Sequence, residues 1–381
     1  KGVEISLAGR SSRWMDKLSY GLKIPKEQDL YGYRRLKLRA MRADPAYIRE
    51  KLCYDMMKSV GLPVSGASYT RVIMNNQPIG LFLMIEGYKN PWYKNLFANG
   101  GKLDQGITYQ GVGSVSDLSY FGDNVTKYDG PYKIEEDPDQ GTPTFNRIME
   151  FTKFLSEAPV GEGAESVWNQ HIDMDSVIRS LAIEIAAGFS DGYIANANNF
   201  FLYDNLQDKR FTYLAADFDT TLGNTLVTLS KQLNGNYTDY PGFSLRPLTT
   251  KLIQVPAFKL QMETLLQQIT KELVNPNVAN KRIDELVAFL REDVEWDYRL
   301  PKAANVTWDG IKDQVPFTPD MIPPPLDWAA IEELMKRQPL TMEQAVYGPT
   351  GSNLYPNVIE WFTTLSNNMQ QYFNQHPPSS N

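Results

Sequence analysis

SDGYIANANN (190–199) and, after the aromatic strand FFLYD (200–204), RFTYLAADFDTTLGN (210–224) are the stretches on which the reading of this chain turns. The second closes an apolar strand on two carboxylates, Asp217 and Asp219. Carboxylates at the end of a buried strand cost desolvation energy unless a cation or several donors compensate, so this pair is a candidate metal site. The first stretch places Asp191 directly after an apolar helical pattern in which Val177, Leu181 and Ile185 recur at four-residue spacing, and Asn199 follows eight residues on. Phosphoryl transfer uses parts of this kind: oxygen ligands from Asp and Asn for a divalent cation, and a carboxylate that takes the proton of an attacking hydroxyl.

Upstream of this pair, VEISLAG, KLSYGLKI and RRLKLRAM read as strands, the last with a period of two that puts Lys37 and Arg39 on one face. A helix is expected next, with Asp44 as cap, Pro45 at its first position and Gly61-Leu62-Pro63 as its stop. Glu50 lies on an apolar stripe of that helix with Cys53, Tyr54 and Met57, and so needs a partner. A hairpin follows, ASYTRVIM and IGLFLMIEGY around a turn at 75–78. Residues 99–142 are rich in Gly, Asp and Tyr without a period and read as a long irregular insertion, a natural place for partner specificity. Helical pattern occupies 143–157 and 173–188; 247–298 reads as two helices, 316–325 as a Pro-rich loop and 354–374 as a last helix.

The parts of a kinase fold come in a set order, and candidates for all of them occur here in that order. Gly9-Arg10-Ser11-Ser12 is the candidate phosphate turn, Lys37 the strand lysine and Glu50 its helix partner, while Arg39 is an alternative partner for Glu50. Glu86, Gly87 and Tyr88 form a candidate hinge offering backbone groups to adenine. Singly each signal is weak, because a turn is commonly only a loop and a strand lysine only a solvated face. The Asp-Phe-Asp pair is the strongest of them.

Composition sets the remaining bounds. The 381 residues, 42% hydrophobic, suffice for one large core or two lobes, and strands mixed with helices give an α+β class. A net charge of −7 argues against a nucleic-acid partner. No apolar run approaches the roughly 20 residues of a membrane span, and no signal peptide opens the chain, which is expected to be mature or trimmed. Cys53 is the single cysteine, which excludes an internal disulfide and a cysteine-based zinc site. The two histidines, His171 and His376, are too far apart in sequence to suggest a metal centre. Sequons at Asn124, Asn236 and Asn305 are possible N-glycosylation sites and point weakly towards secretion.

The strings LKLRAMRADPAYIREKLCYDMMKSVGLP, NNQPIGLFLMIEGY and YLAADFDTTLGN resemble the CotH protein kinase family of spore-coat proteins, and the likeness covers most of residues 3–300. The DPAYIREKL and DGY phrasing is most similar to its fungal cell-surface members. The resemblance implies an atypical bilobal kinase-like fold: a first lobe over 1–98 of strands plus one helix, the insertion 99–142, and a mainly helical second lobe over 143–381. It implies ATP with Mg2+ (or Mn2+) as cofactors and transfer of the γ-phosphate to serines of a protein substrate. It further implies a secreted, cell-surface or spore-surface protein, GPI-anchored beyond the end of this chain, acting as an invasin or adhesin towards a host-cell receptor. By residue, Asp191 matches the catalytic Asp, Asp217 the metal-binding Asp, and Asp219 its second carboxylate. Asn199 best matches the metal-binding Asn, with Asn196 and Asn198 as competitors, and Lys17, after the phosphate turn, rivals Lys37 for the nucleotide. Two departures stand out: Ala215-Ala216 where bacterial members commonly have Pro-Trp, and Leu222 in place of an aromatic.

Other readings compete. DFDTT also fits the opening of a haloacid-dehalogenase phosphatase, with Asp217 as nucleophile and Asp219 as acid–base, and a metal-dependent glycosyltransferase can use Asp-x-Asp. Both want strand–helix alternation that residues 224–380 and the leading half do not offer. A non-enzymatic adhesin that keeps the kinase scaffold is the third alternative.

Overall fold

Alternation in RLKLR and the ten-residue run QPIGLFLMIE build the first of two sheets. The computed structural model describes residues 2–9, 11–302, 318–337 and 339–378. The first sheet contains β1 (Glu4–Leu7), β2 (Tyr20–Lys23), β3 (Arg35–Arg39), β4 (Ala67–Met74) and β5 (Gln77–Glu86), in the order β1-β2-β3-β5-β4, antiparallel throughout. The β4–β5 turn is tighter than expected: Met74 pairs with Gln77, and Asn75 and Asn76 both take positive φ (51° and 63°), as a two-residue hairpin turn requires.

Helix α1 (Arg49–Ser59) covers the face of this sheet that carries Leu81, Leu83 and Ile85. It starts later than the Asp44-Pro45 signal suggests. Tyr47 has φ 62°, a left-handed conformation that no helix interior accepts. Asp44 is spent instead on the Arg49 guanidinium (2.7 Å) and on the N–H groups of Ala46 and Arg49 (2.9 Å each). Register places Arg39 opposite Leu83 and Lys37 opposite Ile85, so both cations lie on the α1 side.

The chain then crosses through Gly87 and Tyr88 to α2 (Trp92–Ala98) and a second antiparallel sheet. Its strands are β6 (Thr108–Gly111), β7 (Tyr132–Glu136), β8 (Phe200–Asn205) and β9 (Arg210–Ala215), in the order β7-β6-β8-β9. Residues 99–142 are therefore not simply an irregular insertion, because they supply half of this sheet. Strands of only four and five residues, the first of which takes its other partner β8 from far along the chain, leave no local period to read. Between β7 and β8 come α3 (Asn146–Glu157), α4 (Glu165–Trp168), α5 (Met174–Ala187) and α6 (Tyr193–Asn196). The α5 stripe of Val177, Leu181 and Ile185 is buried in the main core with α1, β9 and later helices.

Beyond β9 the described elements are helical: α7 (Leu229–Gln232), α8 (Pro247–Leu252), α9 (Pro256–Glu272), α10 (Pro276–Arg299), α11 (Trp328–Lys336), α12 (Met342–Tyr347) and α13 (Val358–Gln375). Three helices, not two, occupy 247–299. Pro256 and Pro276 each stand at a first helical position, where the missing N–H costs nothing, and each opens a new helix. Among the described residues both sheets are wholly antiparallel and no strand follows Ala215, so the parallel sheet of a dehalogenase-type phosphatase has no material. The class is α+β.

Candidate active site

Strand register brings the two deciding stretches together. Phe200 pairs with Ala215 at the start of the β8–β9 ladder, so the residues just outside it, Asn199 and Ala216, are neighbours, joined by Ala216 N–H donating to the Asn199 carbonyl (3.1 Å). Asp217 comes next, at φ 72°. Phe218 is buried between Tyr54 of α1 (5.0 Å between ring centres) and Phe189 (5.1 Å), which turns Asp217 and Asp219 outwards from a fixed anchor. Arg49 reaches across to the Leu222 carbonyl (3.1 Å), where φ is 50°, and Cys53 Sγ donates to Thr221 Oγ1 (3.3 Å). The buried cysteine is thus structural.

Asp191 sits on the α5–α6 connection and accepts from all three candidate amides: Asn196 (2.7 Å), Asn198 (3.0 Å) and Asn199 (2.8 Å). Their carbonyl oxygens separate them. Asn196 Oδ1 accepts from the Ser114 hydroxyl and Asn198 Oδ1 from the Gly113 N–H, whereas Asn199 Oδ1 accepts no hydrogen bond among the described residues. Of the three, Asn199 alone retains an oxygen for a cation. Burial raises the Asp191 carboxyl above the ordinary Asp range against the pull of the asparagine amides, and the Asp217 charge raises it further.

One cation serves the acids opposite. Buried Arg39 donates through Nε to Glu50 (3.1 Å) and through Nη2 to Asp217 and to Asp219 (3.1 Å to the latter). The expected Lys37–Glu50 pair is therefore corrected to Arg39–Glu50; Lys37, half-buried two residues earlier on the same face, makes no ion pair among the described residues. Burial raises both Glu50 and Asp219, Asp219 well above its usual value; Arg39 opposes the shift and neighbouring carboxylates add to it. Three carboxylates on one guanidinium leave excess negative charge. Glu50 Oε1 and Thr220 Oγ1 are buried without a hydrogen-bond partner among the described residues.

Other expected contacts fall elsewhere. Lys17 is buried against Asp297 (2.8 and 3.0 Å to the two oxygens) and lies over the Phe82 ring (4.7 Å), which commits it to a separate cluster; burial pulls its ammonium down to about 8 despite Asp297. Gly9 (φ 83°) and the 3-10 turn from Ser11 to Trp14, which includes Ser12, do occupy the β1–β2 corner, while Arg10 lies outside the described residues. At the crossing, Gly87 donates its N–H to Arg35 (2.8 Å) and accepts from Lys89 (2.8 Å), and the Glu86 carbonyl accepts from Ser65. The Gly87 backbone is thus spent inside the protein rather than offered to a base. Tyr88 packs on Trp92 and Phe201 and donates its hydroxyl to Ala215 (2.7 Å), pinning the crossing to the end of β9. Glu86 is itself buried, with Oε1 unpaired among the described residues and its carboxyl pushed up to about 7 by burial. Asn124 and Asn236 each accept from the threonine two residues on as caps of short 3-10 turns; Asn305 lies outside the described residues.

Among the described residues no three His, Cys, Asp or Glu side chains form a metal-holding group. Asp217, Asp219 and the free Asn199 oxygen fit instead a divalent cation that takes its remaining ligands from phosphate and water, as hard, reluctantly dehydrated Mg2+ does. Half-buried Asp191 lies close enough to both aspartates for the Asp217 charge to raise its carboxyl and for its own charge to raise that of Asp219.

The CotH kinase protein family model matches residues 5–309. The chain belongs to that family. Spore coat protein homolog 1 of Rhizopus delemar is 28% identical over 287 residues, 74% of this chain and 46% of the relative. Invasin CotH7 of the same fungus is 28% identical over 271 residues, 68% of this chain and 43% of the relative. Inner spore coat protein H of Bacillus subtilis is 22% identical over 300 residues, 78% of this chain and 79% of the relative. The CotH-family chain thus spans less than half the length of these Rhizopus relatives. No described helix is long and apolar enough to cross a membrane.

Proposed function

We propose that this chain is an atypical, Mg-dependent protein serine kinase with a bilobal kinase-like fold, its first sheet and α1 forming one lobe and the second sheet with the later helices the other. The observation that carries the reading is the convergence of Asp191, Asn199, Asp217 and Asp219 at the β8–β9 end, facing a strand-borne cation, Arg39, that is paired to the helix acid Glu50. Asp217, Asp219 and Asn199 would hold Mg2+ (or Mn2+), which supplies charge neutralisation on the ATP phosphates. Arg39, with Lys37 beside it, would face the α- and β-phosphates. Asp191 orients the serine hydroxyl and takes its proton as the hydroxyl oxygen bonds the γ-phosphorus and the bond to the ADP oxygen breaks. The names of the relatives, spore coat proteins and invasins, support a spore-surface or cell-surface setting; secretion, a GPI anchor and a serine-rich protein substrate are part of the proposal.

The test is transfer of labelled phosphate to a Ser-rich protein. Wild type transfers, and Asp191→Ala loses roughly 10³-fold or more in kcat while Mg-ATP affinity changes by less than about threefold, because Asp191 acts on the hydroxyl and not on the phosphates. Wild-type turnover in Asp191→Ala would remove the catalytic assignment.

The invasin names of several relatives favour a second role, adhesion to a host-cell receptor by the same scaffold. Binding of the purified chain to host cells, equal for wild type and Asp191→Ala, would separate adhesion from catalysis.

A further inference from the structure

We infer that Glu184 and Arg246 are positioning residues that grip one three-residue segment from two sides and thereby set the spacing between Asp191 and Asn199. Their proposed role in turnover rests on the kinase reading above. Neither residue touches the carboxylates of the site. Glu184, on the last turn of α5 and 2% exposed, accepts at Oε1 from the Ile194 N–H (2.6 Å); burial raises its carboxyl to about 8, and the N–H groups of Ile194, Tyr193 and Ala195 and the charge of Arg246 oppose that rise. Arg246, 6% exposed at the foot of α8, donates through Nε to the carbonyls of Tyr193 (3.1 Å) and Ile194 (2.9 Å) and through Nη2 to that of Ala195 (2.6 Å).

The gripped segment is most of α6, a single turn whose N–H and C=O groups have almost no intrahelical partners. A turn this short does not hold its own shape in isolation. An acid at its amides and a guanidinium at its carbonyls complement both ends of its dipole. Two glycines complete the mould. A Cβ on Gly192 would lie 2.5 Å from Glu184 Oε1, and one on Gly242, where φ is 95°, would lie 2.0 Å from the Ile194 carbonyl. The Asp-Gly-Tyr of the deciding stretch and the Gly-Phe-Ser-Leu-Arg of 242–246 thus have one cause.

What α6 separates explains why the grip matters. Asp191 precedes it and Asn199 follows it, and all three amide bonds to Asp191 come from residues 196–199. If the turn slackens, those amides leave Asp191 and the orientation of its carboxylate is lost. Arg39, Asp217 and Asp219 belong to other elements and keep their positions.

Two measurements on wild type, Arg246→Gln and Arg246→Lys test this. In amide hydrogen exchange, Arg246→Gln should lose protection at least about tenfold over 193–199 while α5 stays at wild-type protection. In phosphate transfer, its kcat should fall roughly 30- to 100-fold with KM for ATP changed less than about fivefold, and Arg246→Lys should recover part of the loss. A merely structural arginine would instead lower the amount of active protein and leave kcat per folded molecule unchanged, and that outcome overturns the catalytic part. Unchanged exchange over 193–199 overturns the grip itself. If Arg246→Gln does not fold, the near-isosteric Glu184→Gln is read in the same two assays, with the same direction expected. A wild type that transfers no phosphate, together with a loosened loop in the variant, would sink the kinase reading and leave the grip standing.

Discussion

Two clusters of buried charge tie the first sheet to the rest of the molecule, and they are built differently. At one, Lys17 and Asp297 are 7% and 1% exposed and matched one to one. Asp297 Oδ1 accepts from Lys17 and Leu81 N–H (2.8 Å each), and Oδ2 from Lys17 (3.0 Å) and the Tyr47 hydroxyl (2.8 Å). At the other, Arg39 faces Glu50, Asp217 and Asp219; the two aspartates are 36% and 28% exposed, and Glu50 keeps one oxygen without a partner among the described residues. A closed cluster with every bond filled has nothing left for a ligand. An open one with crowded carboxylates would be stabilised by an added cation, as the proposed metal site requires.

The sharpest way to break this contrast is Asp217→Ala. It should abolish the thermal stabilisation by Mg-ATP and lower kcat/KM by about a thousandfold or more, while the melting temperature without ligand stays equal or rises because one crowded carboxylate is gone. A ligand-free protein clearly destabilised by this change would mean that the open cluster is structural.

Asp297→Ala should behave oppositely. Removing one partner of a buried pair leaves Lys17 uncompensated and costs about 3–5 kcal/mol, read as a lower denaturant midpoint, with KM for ATP unchanged in the folded fraction. Replacing the pair together, Lys17→Met with Asp297→Leu, should recover much of that loss.

The smallest effect is with pH. Glu50, Asp191 and Asp219 are all held above the usual carboxylate range, so the native state binds more protons than the unfolded chain between about pH 4 and those raised values. Stability without ligand should therefore fall as pH rises through that window, and Mg-ATP should flatten the trend because a cation favours the charged forms. Thermal melts at several pH values, with and without Mg-ATP, read it directly; a ligand-free protein that gains stability across the same window would contradict the surplus of charge.

Much of the architecture was legible in local pattern. The three opening strands, the hairpin, the α5 stripe and the carboxylates closing β9 each have a period or a turn signal within about ten residues. The misses share a cause. Alternation put Lys37 and Arg39 in phase but had no means of choosing which of them meets Glu50. The strands within 99–142 are short, and β6 takes its second partner, β8, from far along the chain. The start of α1 was displaced because Asp44 is consumed by Arg49 and Tyr47 adopts a left-handed φ, both consequences of packing.

By itself the amino-acid sequence determined the three opening strands, the hairpin and the α5 stripe, because these follow from short-range periodicity; its motif strings carried the resemblance to the CotH family, and residue types that are costly to bury singled out the acids of the candidate site. Only the tertiary structure decided that Arg39 rather than Lys37 pairs with Glu50, that Lys17 belongs to Asp297, and that of three neighbouring asparagines Asn199 keeps a free oxygen. Those are competitions among like groups at similar sequence positions. They are settled by register, by left-handed turns and by which partner packing leaves within about 3 Å, quantities that exist only once the chain has closed on itself.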